Sequence, residues 1–245
     1  MYLISELHNQ YSGDVHTAEQ MILQSKLAGA HAVKVQLFDA LRLYGTPERQ
    51  YLSLTLEETK RLQRFAQSLH IDFFASFFDE ERLGWCLDLD LPILKIASIT
   101  VEKYPELCER AIATGKRVLV SLGKWDWKER GVPFQAPNVE YLYCVAKYPA
   151  FLEDIEMPDF EHSDFVGFSD HTVGTAASKY AIARGARVIE KHYTLSTSLQ
   201  KSTEQAHYGA MTMHDLADIR IFSDAVGILD RSAVAFRSAR VAQTV

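Results

Sequence analysis

Two histidines of this sequence each follow a short apolar segment that is predicted to be a β-strand. His171 comes shortly after Phe165–Phe168, and His192 comes shortly after Val188–Ile189. The alanine-rich segment Thr175–Arg184 has helical periodicity and joins the two strands, so their carboxyl ends meet at one edge of a parallel sheet. Two neutral imidazoles side by side can bind a divalent metal ion and leave positions open for water or substrate. The pair therefore predicts a metal site; the alternative is that each histidine only forms hydrogen bonds at a strand end.

Two lysines stand inside other apolar segments, Lys34 in AVKVQ and Lys95 in LKIAS. A buried ammonium group needs an anionic partner, because leaving it unpaired is very costly. One interpretation is a structural salt bridge to Glu6 or Glu190. The other is a ligand with several anionic oxygens, such as a phosphate with a carboxylate, which ammonium and hydroxyl groups bind together. The hydroxyl groups predicted at neighbouring strand ends belong to Ser76, Ser98, Ser121 and Ser169.

These side chains are expected at one end of a closed barrel. Apolar strand segments alternate with helical segments along the 245 residues, which predicts a parallel sheet, and eight such strands close as a (β/α)8 TIM barrel. In such barrels the chemistry lies at the carboxyl ends of the strands. The predicted strands are Tyr2–Glu6, Ala32–Gln36, Asp72–Ser76, Ile93–Ile96, Arg117–Ser121, Val139–Cys144, Phe165–Phe168 and a last one that starts at Val188 and ends at His192.

The sequence also predicts how this single α/β domain is divided. We expect the barrel over about 2–228, with Thr212–Ile228 as its last helix, and a C-terminal tail over 229–245. One helix, Lys103–Ala113, is predicted after the fourth strand. The helices after strands five and six are expected to be short or missing, because glycines and prolines interrupt both segments.

Composition excludes several classes of partner. The net charge is −6 and no basic stripe is present, so we expect no nucleic-acid partner. No apolar run approaches about 18 residues and no signal-peptide pattern is found, which predicts a cytoplasmic protein with no membrane partner. The three cysteines, Cys86, Cys108 and Cys144, are scattered and are expected to be reduced core residues.

Five motifs occur along almost the whole chain, from about Ser5 to Ile228. They are AVKVQ over 32–36, LKIAS over 94–98, YP and ED at 148–149 and 153–154, GFSDHT-G over 167–174, and VIEKHYT over 188–194. In these motifs the sequence resembles the sialic acid synthase family, whose members condense phosphoenolpyruvate with an amino-sugar aldehyde. The resemblance implies a synthase that releases phosphate and makes a nonulosonic, sialic-acid-like 2-keto-3-deoxy sugar acid.

The resemblance also implies roles for residues at matching positions. It makes His171 and His192 the ligands of a divalent metal ion, Mn²⁺ or Mg²⁺, and it implies catalytic roles for Glu6, Lys34, Glu190 and Tyr148. The residues implied to contact phosphoenolpyruvate or the aldose are Lys34, Gln36, Ser76, Phe78, Lys95, Ser98, Ser121, Tyr148, Ser169 and Glu204.

Departures from the family pattern concern the acceptor sugar. A sugar-contacting aspartate of the family aligns with Ala206, where Glu204 or His207 is close enough to replace it. An acidic residue after strand four is here Thr100, and the family's Asn-His-Asn-Gly is here Gln-Tyr-Ser-Gly at 10–13. The alternatives are therefore a synthase with a different aldehyde acceptor, or a non-catalytic barrel subunit of such an enzyme.

The resemblance further implies partners. Family members carry a C-terminal antifreeze-like domain that covers the barrel of a neighbouring subunit, and we expect a homodimer here. Leu229–Val245 is too short for such a domain. We therefore expect either a separately encoded lid subunit or an uncovered barrel that acts on another acceptor.

Overall fold

Eight parallel strands close into one barrel in the computed structural model of the chain, in sequence order and with the last strand paired to the first. The structure describes residues 1–200 and 207–242, without the side chains of 199–200 and 231–242. The TIM barrel predicted from the sequence is therefore confirmed. Its strands are β1 (Tyr2–Glu6), β2 (Ala32–Leu37), β3 (Asp72–Phe77), β4 (Ile93–Ile96), β5 (Arg117–Ser121), β6 (Val139–Cys144), β7 (Phe165–Asp170) and β8 (Val188–His192).

Helices surround the barrel, and several start at a side-chain cap. Thr55 and Glu58 form a reciprocal capping box, while Asp14 and Asp79 accept hydrogen bonds from the first turns of their helices. The described helices are α1 (Val15–Leu27), α2 (Ala40–Tyr44), α3 (Leu56–Ser68), α4 (Glu80–Asp88), α5 (Ser98–Lys103), α6 (Pro105–Ala113), α7 (Trp127–Arg130), α8 (Ala176–Ala183), α9 (Thr197–Gln200) and α10 (Met213–Ala242). None of the described helices is long and apolar enough to span a bilayer.

Parts of the helical layer differ from the prediction. The helix expected over Lys103–Ala113 is α6, which begins at Pro105 because Tyr104 precedes the proline and leaves the helical region, with φ −138° and ψ 57°. A separate short helix, α5, comes before it. The last helix does not end at Ile228 but continues to Ala242, through most of the predicted tail. The short segments predicted after strands five and six are confirmed as α7 and a 3-10 turn at Leu152–Asp154.

The barrel interior changes from apolar to polar along the strands. Side chains two positions apart on a strand point to the same face. A separate buried apolar cluster is formed by Ile4, Ala32, Phe74, Ile93, Leu119, Leu142 and Val188. Two positions further along the same strands come Glu6, Lys34, Ser76, Lys95, Ser121, Cys144 and Glu190, and Ser169 follows Gly167 in the same way. The period-two alternation therefore brings the polar residues predicted at the strand ends onto the inner face of the barrel.

Gly167 allows β7 and β8 to approach closely at this level. A Cβ atom at position 167 would lie 2.0 Å from the carbonyl oxygen of Val188, far inside van der Waals contact. Any side chain here would push the two histidine-bearing strands apart. The close approach of the two strands therefore explains why the GFSDHT motif has a glycine at this position.

The residues that alternate with the inward ones secure the strands to the helical layer. Asp170 and Lys191 are both fully buried, and their charged atoms lie 3.1 Å apart. Asp170 also accepts hydrogen bonds from Ser178 of α8 and from the backbone N–H and hydroxyl of Thr172. Burial lowers the pKa of Lys191, although Asp170 opposes the shift. The pair thus joins the carboxyl ends of β7 and β8 to α8.

We predict that Asp170→Asn lowers the free energy of unfolding by about 3–5 kcal/mol, because it leaves the buried Lys191 ammonium without its carboxylate. Asp218→Asn is the matched control. Asp218 pairs with Lys179 between α10 and α8 and is half exposed, so its loss should cost at most about 1 kcal/mol. Urea denaturation followed by circular dichroism measures both. Equal losses for the two variants would show that the buried pair does not stabilise the barrel.

Candidate active site

Four buried charged residues meet inside the barrel, and we call Glu6, Lys34, Lys95 and Glu190 the charged cluster. Lys34 forms an ion pair with Glu6, and its Nζ lies 3.5 Å from Oε1 of Glu190. Nζ of Lys95 lies 3.9 Å from Oε2 of the same glutamate. The salt bridges considered from the sequence are thus present, and neither lysine is unpaired. Glu190 stands between two ammonium groups, whereas Glu6 has one.

The pKa values of the charged cluster follow from burial and from this unequal sharing. Burial raises the pKa of Glu6, and Lys34 offsets this only in part. Burial acts in the same direction on Glu190, but Lys34 and Lys95 together hold its pKa below the usual value. Burial lowers the pKa of Lys95, which Glu190 only partly offsets. Burial also pulls down the pKa of Lys34, but Glu190 and Glu6 outweigh it and raise the value. Glu6 is therefore the carboxyl that most readily holds a proton, and Lys95 is the ammonium group that most needs another anion.

Three of the four predicted serines contact the charged cluster. Ser76 accepts a hydrogen bond from Nζ of Lys34 at 2.9 Å, and Ser121 accepts one from Nζ of Lys95 at 2.8 Å. Ser169 donates to Oε1 of Glu190 at 3.2 Å. Each lysine thus has a hydroxyl group beside it, and the anion predicted to bind there stays a prediction.

Ser98, the fourth serine, has a different place. It is the first residue of α5, and its Oγ accepts a hydrogen bond from the backbone N–H of Gly123 at 2.9 Å. This contact joins the start of α5 to the loop after β5. Ser98 therefore lines the rim of the barrel and lies above the strand ends.

His171 and His192 lie side by side at the mouth, with ring centroids 5.6 Å apart. Nδ1 of His171 contacts the carbonyl oxygen of Val145 at 2.8 Å, and Nδ1 of His192 contacts that of His8 at 2.7 Å. A carbonyl can only accept, so both Nδ1 atoms carry a proton, and in the neutral ring each Nε2 keeps a lone pair. Burial lowers the pKa of His171, but Cys144 outweighs this and raises the value. Burial, together with neighbouring His207 and His171, lowers the pKa of His192 far below its usual value. The arrangement suits a metal ion, since neutral imidazole is the form that coordinates one.

The structure adds a third histidine, which the sequence indicated only as a neighbour of the acceptor sugar. The ring of His207 stacks on that of His192 with centroids 4.1 Å apart, and it lies 5.7 Å from that of His171. Ring nitrogens of all three lie within 4.8 Å of one another. No apolar strand precedes His207, so the pattern that identified the other two could not find it.

Cys144 is a second site residue that the sequence placed only in the core. All three cysteines are free and buried, as predicted. Cys144 differs because it lies on the inner face of β6, and its Sγ is 3.8 Å from Nδ1 of His171. The signal was its place two residues after inward-facing Leu142 on the same strand.

A cavity of about 570 Å³ opens at the mouth of the barrel, beside His192 and His207. The Tyr148 ring forms part of its wall, 4.3 Å from the ring of His171, and remains 61% exposed. Gln36 reaches down to Oε2 of Glu6 at 3.4 Å. The residues that line the cavity are His8, Asn9, Gln36, Leu43, Tyr44, Arg49, Phe78, Ala97, Ser98, Ile99, Lys124, Ala146, Tyr148, His192 and His207.

The structure describes some of the positions at which the sequence departs from the family pattern on the acceptor side. Glu204 and Ala206 lie outside the described residues, so the predicted contact of Glu204 stays a prediction. Thr100 is fully buried in α5. Tyr11 is also buried, and its hydroxyl donates to the carbonyl oxygen of Leu52, which ties the loop after β1 to the loop after β2. Thr100 and Tyr11 therefore pack in the protein and do not line the cavity.

Comparisons with known proteins match most of the chain. A family model described as the NeuB family matches residues 21–227. The N,N'-diacetyllegionaminic acid synthase of Legionella pneumophila is 30% identical over 232 residues, which cover 81% of this chain and 65% of that protein. The N-acetylneuraminate-9-phosphate synthase of Drosophila melanogaster is 29% identical over 236 residues, which cover 82% of this chain and 62% of that protein. The chain thus spans slightly less than two thirds of the length of these two relatives.

A solved structure has the same barrel. It is the N-acetylneuraminic acid (sialic acid) synthetase of Leptospira borgpetersenii, in complex with citrate. The TM-score is 0.81 at 25% sequence identity, over 97% of this chain and 91% of that one. The likeness therefore extends over nearly the entire length of both chains.

We predict that Lys34→Met destabilises the fold in a pH-dependent manner. Removing the cation leaves Glu6 buried beside Glu190 and raises its pKa further above the usual 4.5. A carboxyl whose pKa is higher in the folded than in the unfolded protein binds its proton more tightly in the folded state. Stability therefore falls as the pH rises from the unfolded-state pKa towards the folded-state pKa. The loss relative to wild type should be about 3–5 kcal/mol at pH 8 and clearly smaller at pH 5.5.

Urea denaturation at the two pH values measures this difference. Lys60→Met removes a partly exposed lysine that pairs with Glu57 and serves as the control, with a small loss at both pH values. A loss for Lys34→Met that is the same at pH 5.5 and pH 8 would contradict the assigned coupling between Lys34 and Glu6.

Proposed function

Because this chain belongs to the NeuB family, we propose that it condenses phosphoenolpyruvate with an amino-sugar or related aldose. The products would be phosphate and a nonulosonic, sialic-acid-like 2-keto-3-deoxy sugar acid. The names of its relatives, a legionaminic acid synthase and an N-acetylneuraminate-9-phosphate synthase, support this class of reaction. The observation that carries the proposal is the pair of buried lysines with hydroxyl partners, beneath an open cavity that is bordered by histidines.

The phosphoenolpyruvate site is assigned to the inner face of the barrel. Lys95 has its nearest described carboxylate oxygen at 3.9 Å, and burial disfavours its charge, so an incoming anion would stabilise it. Lys34 lies on the other side of Glu190. Ser76, Ser121 and Ser169 supply hydroxyl groups at the same level. A phosphate and a carboxylate on one small molecule match this set of donors.

His171 and His192 would hold the divalent ion. Their donor set fits, because both imidazoles are buried and oriented by backbone carbonyls, and no described hydrogen bond engages either Nε2. A bound ion would supply Lewis acidity toward the carbonyl oxygen of the aldose. Mn²⁺ and Mg²⁺ are the ions implied by the family resemblance.

The residues of the charged cluster suit the proton transfers of this reaction. C3 of phosphoenolpyruvate would attack the aldehyde carbon, and the resulting alkoxide would take up a proton. Water would then add at C2, and phosphate would leave with cleavage of its C–O bond. Glu6, whose pKa is raised, is assigned to carry a proton at the cavity floor. Glu190, which both lysines keep ionised, is assigned to orient the water.

The acceptor would enter through the cavity mouth. Gln36, Phe78, Ser98 and Tyr148 line it, together with the cations Arg49 and Lys124. This rim is built mostly from loops, and Ala206 stands where the family has its sugar-contacting aspartate, so the aldose is proposed only as a class. A different aldehyde acceptor remains the alternative. The homodimer and the separate lid subunit stay predictions.

We predict that Lys95→Met weakens phosphoenolpyruvate binding by about 1.5–3 kcal/mol, roughly tenfold to a hundredfold, because a charge-assisted hydrogen bond is lost. At a pH high enough for part of Lys95 to be neutral, wild type should also take up protons on binding, since the anion raises the lowered pKa of Lys95. Calorimetry in two buffers of different ionisation enthalpy measures both effects. Lys60→Met should match wild type, and an unchanged affinity in Lys95→Met would mean that Lys95 is purely structural.

We predict that the purified chain releases phosphate from phosphoenolpyruvate only when a suitable aldose is added. A panel of aldoses that includes N-acetylmannosamine tests this with a colorimetric phosphate assay. His192→Ala, or removal of metal with a chelator, should reduce release to background while the circular dichroism spectrum is unchanged. Full activity of the metal-free protein would refute the metal assignment, and no release with any aldose would favour the non-catalytic barrel.

A further inference from the structure

His207 lies where it can share an ion with His171 and His192. The three ring nitrogens nearest one another lie within 4.8 Å, and all three residues are buried. Nitrogens bound to one ion at about 2.1 Å in a tetrahedral site lie about 3.4 Å apart, so side-chain movements of up to about 1 Å would bring all three nitrogens into range. The stacking of His192 on His207, at 4.1 Å between centroids, gives these two rings a nearly common direction, with 25° between their planes.

The Nε2 atom of His207 has no hydrogen-bond partner among the described residues, although the residue is only 6% exposed. Its Nδ1 accepts a bond of 3.1 Å from the N–H of Gly209, two residues away, so the proton is placed on Nε2. A buried ring N–H that is left unpaired destabilises the folded protein. The ring of His207 thus lies beside the other two histidines with its Nε2 unsatisfied among the described residues.

The backbone holds His207 in this place. The carbonyl oxygen of His192 accepts from Met211 at 2.7 Å, and that of His207 accepts from Ala210 at 2.8 Å. At Gly209 a Cβ would lie 2.3 Å from the carbonyl oxygen of His171, so the loop lies directly against β7's end. The segment 207–211 is therefore fixed to both strands that carry the other histidines.

We propose that His207 is a third protein ligand of the divalent ion, which makes the site a three-histidine centre. This deepens the proposed function, which assigns the ion to His171 and His192 alone. Coordination through Nε2 requires the ring proton on Nδ1. The hydrogen bond from the N–H of Gly209 to Nδ1 is then lost, and the bond to the metal replaces it. Cys144 is not part of this set, because its sulfur approaches Nδ1 of His171 and not Nε2.

Three imidazoles change which ions the site prefers. Nitrogen ligands suit Zn²⁺, Fe²⁺ and Co²⁺, whereas Mg²⁺ prefers oxygen ligands and retains its waters. Three protein ligands with the remaining positions open is also the pattern of catalytic zinc sites. The third histidine therefore favours a transition metal over the Mg²⁺ that the family resemblance leaves open.

The test is a Co²⁺ titration of chelator-treated protein, followed through the visible absorption bands of the ion. Wild type should bind one Co²⁺ per chain, and excess Mg²⁺ should not displace it. His207→Ala should lower the affinity for Co²⁺ about tenfold to a hundredfold and change the absorption spectrum. His207→Asp, which restores a ligand atom, should recover part of the affinity. His214→Ala, at an exposed histidine on α10, is the matched control and should equal wild type.

A His207→Ala variant that binds Co²⁺ like wild type, with the same spectrum, would overturn the proposal, and so would wild type that binds no ion. Pulsed electron paramagnetic resonance on the Cu²⁺-loaded wild type counts coordinated imidazoles without relying on any variant. Three are expected, and two would refute the third ligand. The phosphate assay is separate: a three-imidazole site without phosphate release would refute only the proposed reaction, and phosphate release with two imidazoles would refute only the role of His207.

Discussion

The charge balance inside the barrel is the constraint on which the rest of the site depends. Two glutamates and two lysines are buried above a layer of aliphatic and aromatic side chains, where neither sign could remain alone. Well-packed hydrophobic residues could fill this space with no loss of stability. The presence of four charged side chains here is therefore better explained by binding of a ligand than by the needs of the fold. A ligand with several negative charges would upset the balance. Glu6, whose pKa is raised, can restore it by retaining a proton.

The floor and the mouth of the cavity are built from different kinds of structure. The floor residues lie on strands whose register is fixed on both sides, from the Glu6–Lys34 step to the Ser169–Glu190 step. The mouth residues lie mostly on loops and on short elements such as α2 and the start of α5. Under the proposed function, phosphoenolpyruvate can therefore keep one binding position while the acceptor pocket changes with loop sequence.

The sequence predicted the residues whose side-chain direction follows from the alternation along a β-strand. Lys34, Lys95 and Glu190 interrupt apolar runs, and in a strand of period two their inward direction follows from their neighbours. The same alternation predicts the direction of His171 and His192, which come two residues after Ser169 and Glu190. His207 could not be found this way, because its position depends on hydrogen bonds between a loop and β8. The extension of α10 was missed for a similar reason, since nothing after Ile228 ends the helix in the way that a glycine or proline would.

The alternation along β7 and β8 also links stability to chemistry within single motifs. In Ser169–His171 and Glu190–His192, the first and third residues lie on the inner face of the barrel or at its mouth, and the middle residue, Asp170 or Lys191, holds the strand to the helices. A shift of β8 by one residue would exchange the two roles, placing an ammonium group among the histidines and a glutamate against the helical layer. Mispaired barrels would thus lose both the buried ion pair and the adjacent pair of histidines at once. A folding error at these strands would yield an unstable chain, and not a stable one with a defective site.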